Sequence, residues 1–134
     1  MLDMDGVMTD GSIVFADSGE ELKFFDVKDG HGIKLLMKSG IDVIVITARV
    51  SRAVIHRTDN LGIARSNVFE GVLDKLAVFE DILSKRGLGP EAVAFIGDDL
   101  MDLPIIKRAG ISVAVSDAVK EVKAGALYVT ARPG

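Results

Sequence analysis

Three aspartates crowd the opening stretch MLDMDGVMTDG: Asp3, Asp5 and Asp10. Two more stand side by side in GDDLMD as Asp98 and Asp99. On an extended strand, residues two apart project to the same side, so Asp3 and Asp5 face one space. One carboxylate can attack as a nucleophile while its neighbour moves a proton, and we read Asp3 and Asp5 in those roles. Asp3, Asp5 and Asp98 brought together repel strongly unless a cation joins them. Mg²⁺ suits such a group, because it takes oxygen ligands in near-octahedral array and keeps some of its waters. Lys75 would neutralise charge on Asp3 and on a bound phosphoryl group. The Thr47 hydroxyl would hydrogen-bond a phosphate oxygen, helped by backbone N–H groups at loops and helix starts. The chemistry that fits this set is phosphoryl transfer from an anionic substrate.

These residues span almost a hundred positions, so the chain fold must gather them. DVIVITA (42–48) and AVAFIG (92–97) are apolar runs of the kind found in strands buried on both faces. ISVAV and ALYVT add further strands, and NVFEG a short one. Between them lie helical patterns: GIKLLMKSG, Ser51–Leu61, Lys75–Arg86, Pro104–Ala109 and DAVKEVKAG. The clearest is Lys75–Arg86, with Leu76, Phe79, Ile82 and Leu83 on one face, Asp74 as N-cap and Gly87 as stop. GSIVFADSGEELKFFDV reads as a hairpin, Ser12–Ala16 turning through Asp17, Ser18 and Gly19 into Leu22–Val27. Alternating strands and helices predict an α/β fold with a mainly parallel sheet. In such sheets ligands bind beyond the carboxyl ends of the strands. Asp3/Asp5, Thr47, Lys75 and Asp98/Asp99 all fall at or just after such ends, on one edge.

Composition narrows the function classes. A chain of 134 residues with 49% hydrophobic content is expected to form one ordered domain, residues 1–134. Its net charge is −4, it has no basic run and no Trp, and it has a single Tyr, so nucleic acid is not an expected partner. There is no cysteine, which excludes disulfide and thiolate chemistry. No apolar run approaches the ~20 residues that span a bilayer. A cytoplasmic protein without membrane contact is the expectation.

DMDGVMTDG, VITAR, the isolated Lys75 and GDDLMD resemble, in order, the four motifs of the haloacid dehalogenase superfamily. GEELKFFDVKDGHGIKLL, GVLDKL, GDDLMDLP and GISVAVSDAVKEVK further resemble the 3-deoxy-D-manno-octulosonate 8-phosphate phosphatases, across essentially the whole chain. The resemblance implies a Rossmann-like three-layer sandwich with a β-hairpin flap (about 12–27) and no large cap. It implies Asp3 as nucleophile, Asp5 as acid/base, and Thr47 and Lys75 as phosphoryl-binding groups. Mg²⁺ would be held by the Asp3 side chain, the Asp5 backbone carbonyl and Asp98, with Asp99 acting through water. Asp102 would support the loop and orient Lys75. The implied assembly is a homotetramer whose hairpins pack against neighbouring copies, and the implied substrate is a sugar-acid phosphate on the way to lipopolysaccharide. A sister group acting on nine-carbon acid phosphates carries Glu where this chain has Arg49. Arg49 therefore favours the eight-carbon substrate and could pair with its carboxylate.

Three features depart from that pattern. Only Met1 and Leu2 precede Asp3, where a first strand normally has five or six residues, so a trimmed first strand is expected. Ala48 replaces the glycine usual after the motif threonine. The chain stops at TARPG, where the family continues with a Gly-rich tail. Two other functions share some of these residues. Receiver-like signalling domains use an acidic pair, a Thr/Ser and a Lys, but there Thr and Lys come last, whereas Thr47 and Lys75 precede Asp98. A weakly active structural phosphatase-like module is the other, and the intact motif set argues against it. His31, between two glycines near the flap, either lines the pocket or is a solvated loop residue; His56 reads as surface. Phe15, Phe24 and Phe25 exceed what a lone hairpin can bury and point to an oligomer interface.

Overall fold

Val43, Ile44, Val45 and Ile46 are all buried, yet they bury in opposite directions. Val43 and Val45 join one apolar cluster with Met4, Met8, Ile33, Val54 and Leu61. Ile44 and Ile46 join the other with Phe79, Ile82, Phe95, Ile105 and Val122. This is the behaviour of a strand with a helical layer on each face, and it explains why its sequence lacks polar alternation.

The computed structural model describes residues 1–134. The sheet contains β3 (Val45–Ile46), β4 (Val68–Phe69), β5 (Ala94–Gly97), β6 (Ile111–Ala114) and β7 (Tyr128–Val129), after a separate antiparallel hairpin of β1 (Val14–Phe15) and β2 (Glu21–Leu22). β3 pairs β4, β5 pairs β6 and β6 pairs β7, all parallel. Leu2 sits between the two groups, making parallel bridges to Val45 and to Ile96. The Leu2 N–H donates to Ile44 and the Asp3 N–H to Ile96, so the first residues lie in the middle of the sheet. Helices α1 (Val27–Lys38) and α2 (Arg52–Leu61) cover one face. Helices α3 (Lys75–Arg86), α4 (Leu103–Ile106) and α5 (Lys120–Gly125) cover the other. The result is the expected three-layer α/β sandwich, with a hairpin and no large cap.

Several boundaries differ from the sequence reading. The second hairpin arm does not run as strand to Val27; Asp26 instead caps α1, its carboxylate accepting from the Lys28 N–H at 2.6 Å. The helix thus starts five residues before Gly32, and His31 lies exposed on it rather than in a loop. The two glycines disguised this turn, since each costs about 1 kcal/mol in a helix interior. Gly30 has a packing reason to be there: a Cβ would press on the Arg57 guanidinium and on Leu61. α4 stops at Ile106 instead of Ala109, and α5 begins at Lys120 rather than near Asp117. α3 follows its pattern closely: the Asp74 carboxylate accepts from the Ala77 N–H and Gly87 closes the helix in the left-handed region.

Candidate active site

The first loop begins where residues 1–3 leave the sheet. Asp3 is buried at that point, and the chain turns at once through Gly6. Gly6 has φ of 87°, and a Cβ there would collide with the Asp98 carboxylate. Both the turn and the approach of the Asp98 loop therefore require glycine. The Thr9 hydroxyl accepts from the N–H groups of Gly6 and Gly11, folding the loop onto itself. Thr9 was not singled out from the sequence; its role depends on a turn that appears only in three dimensions.

Thr47 follows β3 and is buried, its hydroxyl accepting from the Arg49 N–H at 3.3 Å. Lys75 is the first residue of α3. A cation there opposes the helix dipole, which is why the position stands out physically. It is compensated locally: the Lys75 ammonium lies 2.7 Å from Asp3 Oδ1 and 2.7 Å from Asp102 Oδ1. Burial disfavours the charged ammonium, but the two carboxylates outweigh it and raise its pKa. Asp102 is wholly buried, and its second oxygen accepts from the N–H groups of Asp98 and Asp99. One side chain thus holds both the lysine and the loop.

Asp3, Asp5, Thr47, Ala48, Arg49, Lys75, Asp98, Asp99 and Met101 line a single cleft of about 190 Å³. Every residue singled out for chemistry in the sequence reading therefore meets at one edge of the sheet. Beyond Arg49 a larger open cavity of about 520 Å³ lies between the hairpin tip (Ser18–Glu21) and residues 50–52. His31 and His56 line neither space, and both are exposed.

The site is arranged for a cation. Oxygens of Asp3, Asp98 and Asp102 lie within 4.8 Å of one another. Three carboxylates face one buried ammonium, leaving negative charge uncompensated. Burial first, then the neighbouring Asp102 charge, pushes the Asp3 carboxyl up to about 6. Burial, then Asp3 and Asp102, pushes Asp98 up to about 7. Asp98 Oδ1 is buried without a hydrogen-bond partner. A hard dication satisfies that oxygen and the excess charge together. Asp102, with both oxygens already engaged, is left to position its neighbours. Asp99 lies at the exposed rim, accepting from the Leu100 N–H at 2.6 Å.

The Asp5 carboxylate turns away from this cluster, toward the hairpin. Its Oδ1 accepts from Lys23, whose ammonium also lies 3.3 Å from Glu21. Glu21 in turn accepts from Arg49 at 2.6 Å. Burial works against the Glu21 charge, but Arg49, Ser51 and Lys23 prevail and lower its pKa. Lys23 and Glu21 are ion-pair partners of cleft residues that the sequence reading missed. The available signal was a lysine between Leu22 and Phe24, two residues from an acid on the same arm. Phe25 corrects another expectation: it packs against the core, with the Arg57 guanidinium 5.3 Å from its ring. Phe15 and Phe24 are exposed.

A parallel α/β sandwich with clustered aspartates at the carboxyl edge, a strand-end threonine and a buried lysine defines a haloacid dehalogenase-like hydrolase. The family profile carrying that description matches residues 65–133. The 3-deoxy-D-manno-octulosonate 8-phosphate phosphatase KdsC of Escherichia coli K12 is 45% identical over 130 residues, covering 97% of this chain and 68% of that protein. The crystal structure of 3-deoxy-D-manno-octulosonate 8-phosphate phosphatase from Yersinia pestis superposes with a TM-score of 0.94 at 44% identity, covering 99% of this chain and 71% of that one. The Moraxella catarrhalis phosphatase of the same name, solved with magnesium ion, phosphate ion and KDO, gives 0.95 at 37% identity, covering 99% and 75%. The chain belongs to the 3-deoxy-D-manno-octulosonate 8-phosphate phosphatase family of haloacid dehalogenase-like hydrolases.

Proposed function

We propose that the protein is a Mg²⁺-dependent phosphomonoesterase that hydrolyses 3-deoxy-D-manno-octulosonate 8-phosphate to the free sugar acid and phosphate, through an aspartyl-phosphate on Asp3. The observation that carries this reading is the buried Asp3–Lys75–Asp102 ion-pair chain, whose Asp3 and Lys75 line one cleft with Asp98, Thr47 and Asp5. Membership of the family and the sugar-acid ligand of its Moraxella relative supply the substrate class.

In this reading Asp3 attacks phosphorus and the bond to the sugar oxygen breaks. Asp5 gives its proton to the departing oxygen, then takes one from the water that cleaves the aspartyl-phosphate. Lys75 and Thr47 hold phosphoryl oxygens. Asp3, Asp98, the Asp5 carbonyl and, through water, Asp99 are the groups that would hold Mg²⁺. Bound there, the ion would keep the carboxylates ionised and offset charge on the phosphoryl group. Asp102 fixes Lys75 and the Asp98 loop by the hydrogen bonds described above. The larger cavity beyond Arg49 takes the sugar acid, with the guanidinium available to its carboxylate. We read the chain as one domain of a cytoplasmic homotetramer that serves lipopolysaccharide synthesis, with the apolar outer face of the hairpin against neighbouring copies.

The test is phosphate release from a panel of sugar phosphates with Mg²⁺ or EDTA, for the wild type and Asp3→Asn. Fast, EDTA-sensitive release from the eight-carbon acid phosphate is expected, with a loss of at least ~10³-fold in Asp3→Asn, as for removal of a nucleophile. Preference for the nine-carbon acid phosphate would reassign the substrate. No release from any member by folded, Mg²⁺-loaded protein would overturn the phosphatase reading.

A further inference from the structure

Glu70, the residue after β4, keeps only 8% of its side chain exposed and takes no part in the chemistry above. Burying a carboxylate is unfavourable unless hydrogen bonds offset it. The two Glu70 oxygens divide that work. Oε2 accepts from the Arg65 guanidinium at 3.1 Å, and Oε1 accepts from the Ser51 N–H at 3.1 Å. Ser51 is the N-cap of α2, yet its own side chain makes no capping hydrogen bond, and the first turn of that helix holds no acid. In a capping box, an acidic side chain of the helix itself reaches back to the N-cap N–H. Here Glu70 reaches it from the neighbouring strand and puts negative charge at the helix start.

The loop that leads into this cap, residues 47–50, brings Thr47, Ala48 and Arg49 to the cleft. Its strand end is pinned twice: the Thr47 N–H donates to Phe69, and the Val72 N–H donates to Thr47. Its helix end is pinned by Glu70 through Ser51. Gly71 lets the two segments close on each other, since its φ is 68° and a Cβ there would stand 3.2 Å from Val50 Cγ2. Between the pins, the Ala48 N–H makes no hydrogen bond within the protein. We propose that Glu70 is a positioning residue for the phosphoryl site: by holding the Ser51 N–H it fixes the helix end of loop 47–50, so that the Thr47 hydroxyl and the Ala48 N–H converge on one phosphoryl group. The proposal rests on the phosphatase reading above and adds to it a residue that lines neither the cleft nor the cavity beyond Arg49. Glu70 acts through the loop and does not touch the substrate.

Two substitutions separate this role from simple bracing of the helix. Glu70→Ala removes the acceptor. Glu70→Gln keeps a carbonyl oxygen for the Ser51 N–H and gives up only Arg65, which is 58% exposed and can turn into water. Each is compared with the wild type, with Mg²⁺, at a temperature where circular dichroism shows it folded. The readouts are affinity for inorganic phosphate by calorimetry, and kcat/KM on the eight-carbon acid phosphate and on 4-nitrophenyl phosphate. Glu70→Ala is expected to bind phosphate about tenfold more weakly and to lose about 10²-fold in kcat/KM on both esters, the cost of misplacing a binding group by about 1 Å. Glu70→Gln should stay within about threefold of the wild type throughout, because a neutral acceptor still satisfies the N–H. A Glu70→Ala protein that melts lower but keeps wild-type affinity and rates would make Glu70 a brace for α2 alone and overturn the proposal. So would a Gln variant as weak as the Ala variant, or a loss confined to the sugar phosphate. Should Glu70→Ala unfold below assay temperature, Glu70→Leu, which fills the space without an acceptor, takes its place. A wild type that binds phosphate but hydrolyses neither ester would count against the phosphatase reading, and the affinity comparison would still decide the role of Glu70. A wild type that binds no phosphate would sink both.

Discussion

The sheet edge and the hairpin hold neighbouring parts of one site by opposite means. At the sheet edge, Asp3, Thr47 and Lys75 are buried residues at strand ends or a helix start, above a core that includes fully buried Met4, Ile46 and Phe95. Their positions are set by packing on both faces of the sheet. The hairpin has two paired residues in each arm, and it exposes Phe15 at 63% and Phe24 at 72%. A hairpin of that size is marginal by itself in water. Yet it delivers Lys23 and Glu21 to Asp5 and Arg49. The proposed nucleophile, Asp3, stands on the rigid part of the molecule, and its proposed acid/base partner, Asp5, is shared with the part least able to hold itself in place.

The largest effect separating the two regions is expected at Asp102. Asp102→Ala removes partners from the buried Lys75 and from the N–H groups of Asp98 and Asp99 at once. Breaking a buried pair from one side costs about 3–5 kcal/mol, and that loss should appear in denaturant unfolding of the purified variant. Lys23→Met, in the hairpin network, should cost less stability because the first loop and sheet remain packed without it. If the two variants were equally destabilised, the division into a rigid and a marginal region would fail.

A second effect concerns only the sheet edge. With carboxyl groups raised to about 6 at Asp3 and about 7 at Asp98, the folded metal-free protein binds protons that the unfolded chain, near 3.8, has already released. Stability then falls as pH rises through this range, since the native state holds more protons. Between pH 5 and 6 this pair dominates, because the buried Met1 amine, lowered to about 6, contributes most of its opposite slope above that window. In EDTA the loss across that window should be about 1–2 kcal/mol, with Asp98 discounted for its partial solvation. Mg²⁺ should flatten the slope by taking over the charge. A metal-free melting temperature that rose from pH 5 to 6 would contradict the charge arrangement of the site.

The same division explains what the sequence could show. The doubly buried strands carry unbroken apolar runs, and ligand-bearing positions follow their ends, so the order Asp3, Thr47, Lys75, Asp98 was readable before any coordinates. Lys75 was readable only in company: alone, a lysine near a helix start reads as a solvated residue, and its place in the order of the other motifs marked it out. Asp74 and Gly87 announced α3 through local capping chemistry. Lys23 was hidden because its meaning depends on how the hairpin folds back over the first loop, a contact between residues 18 apart in sequence. The start of α1 was hidden by Gly30, whose small size answers to Arg57 on another helix. Local rules revealed what local forces hold, and tertiary contacts decided the rest.

The smallest effect on the fold, and the finest probe of the hairpin, is expected from Phe24→Asp. The ring is exposed and touches neither core, so the protomer's own unfolding free energy should move by no more than about 0.5 kcal/mol when measured in dissociated protein. Assembly should change more: light scattering is expected to show the proposed tetramer giving way to smaller species, because Phe24, Phe15 and Leu22 form the apolar face proposed to meet other copies. An unchanged mass would mean that the hairpin stands without neighbours. Exposure alternates along this arm, Leu22 and Phe24 outward and the Glu21 and Lys23 side chains inward. Loosening the outer face therefore loosens the anchor on Asp5. Phe24→Asp should lower kcat/KM on the sugar phosphate, and by less than Lys23→Met, which removes the ammonium held against Asp5 outright.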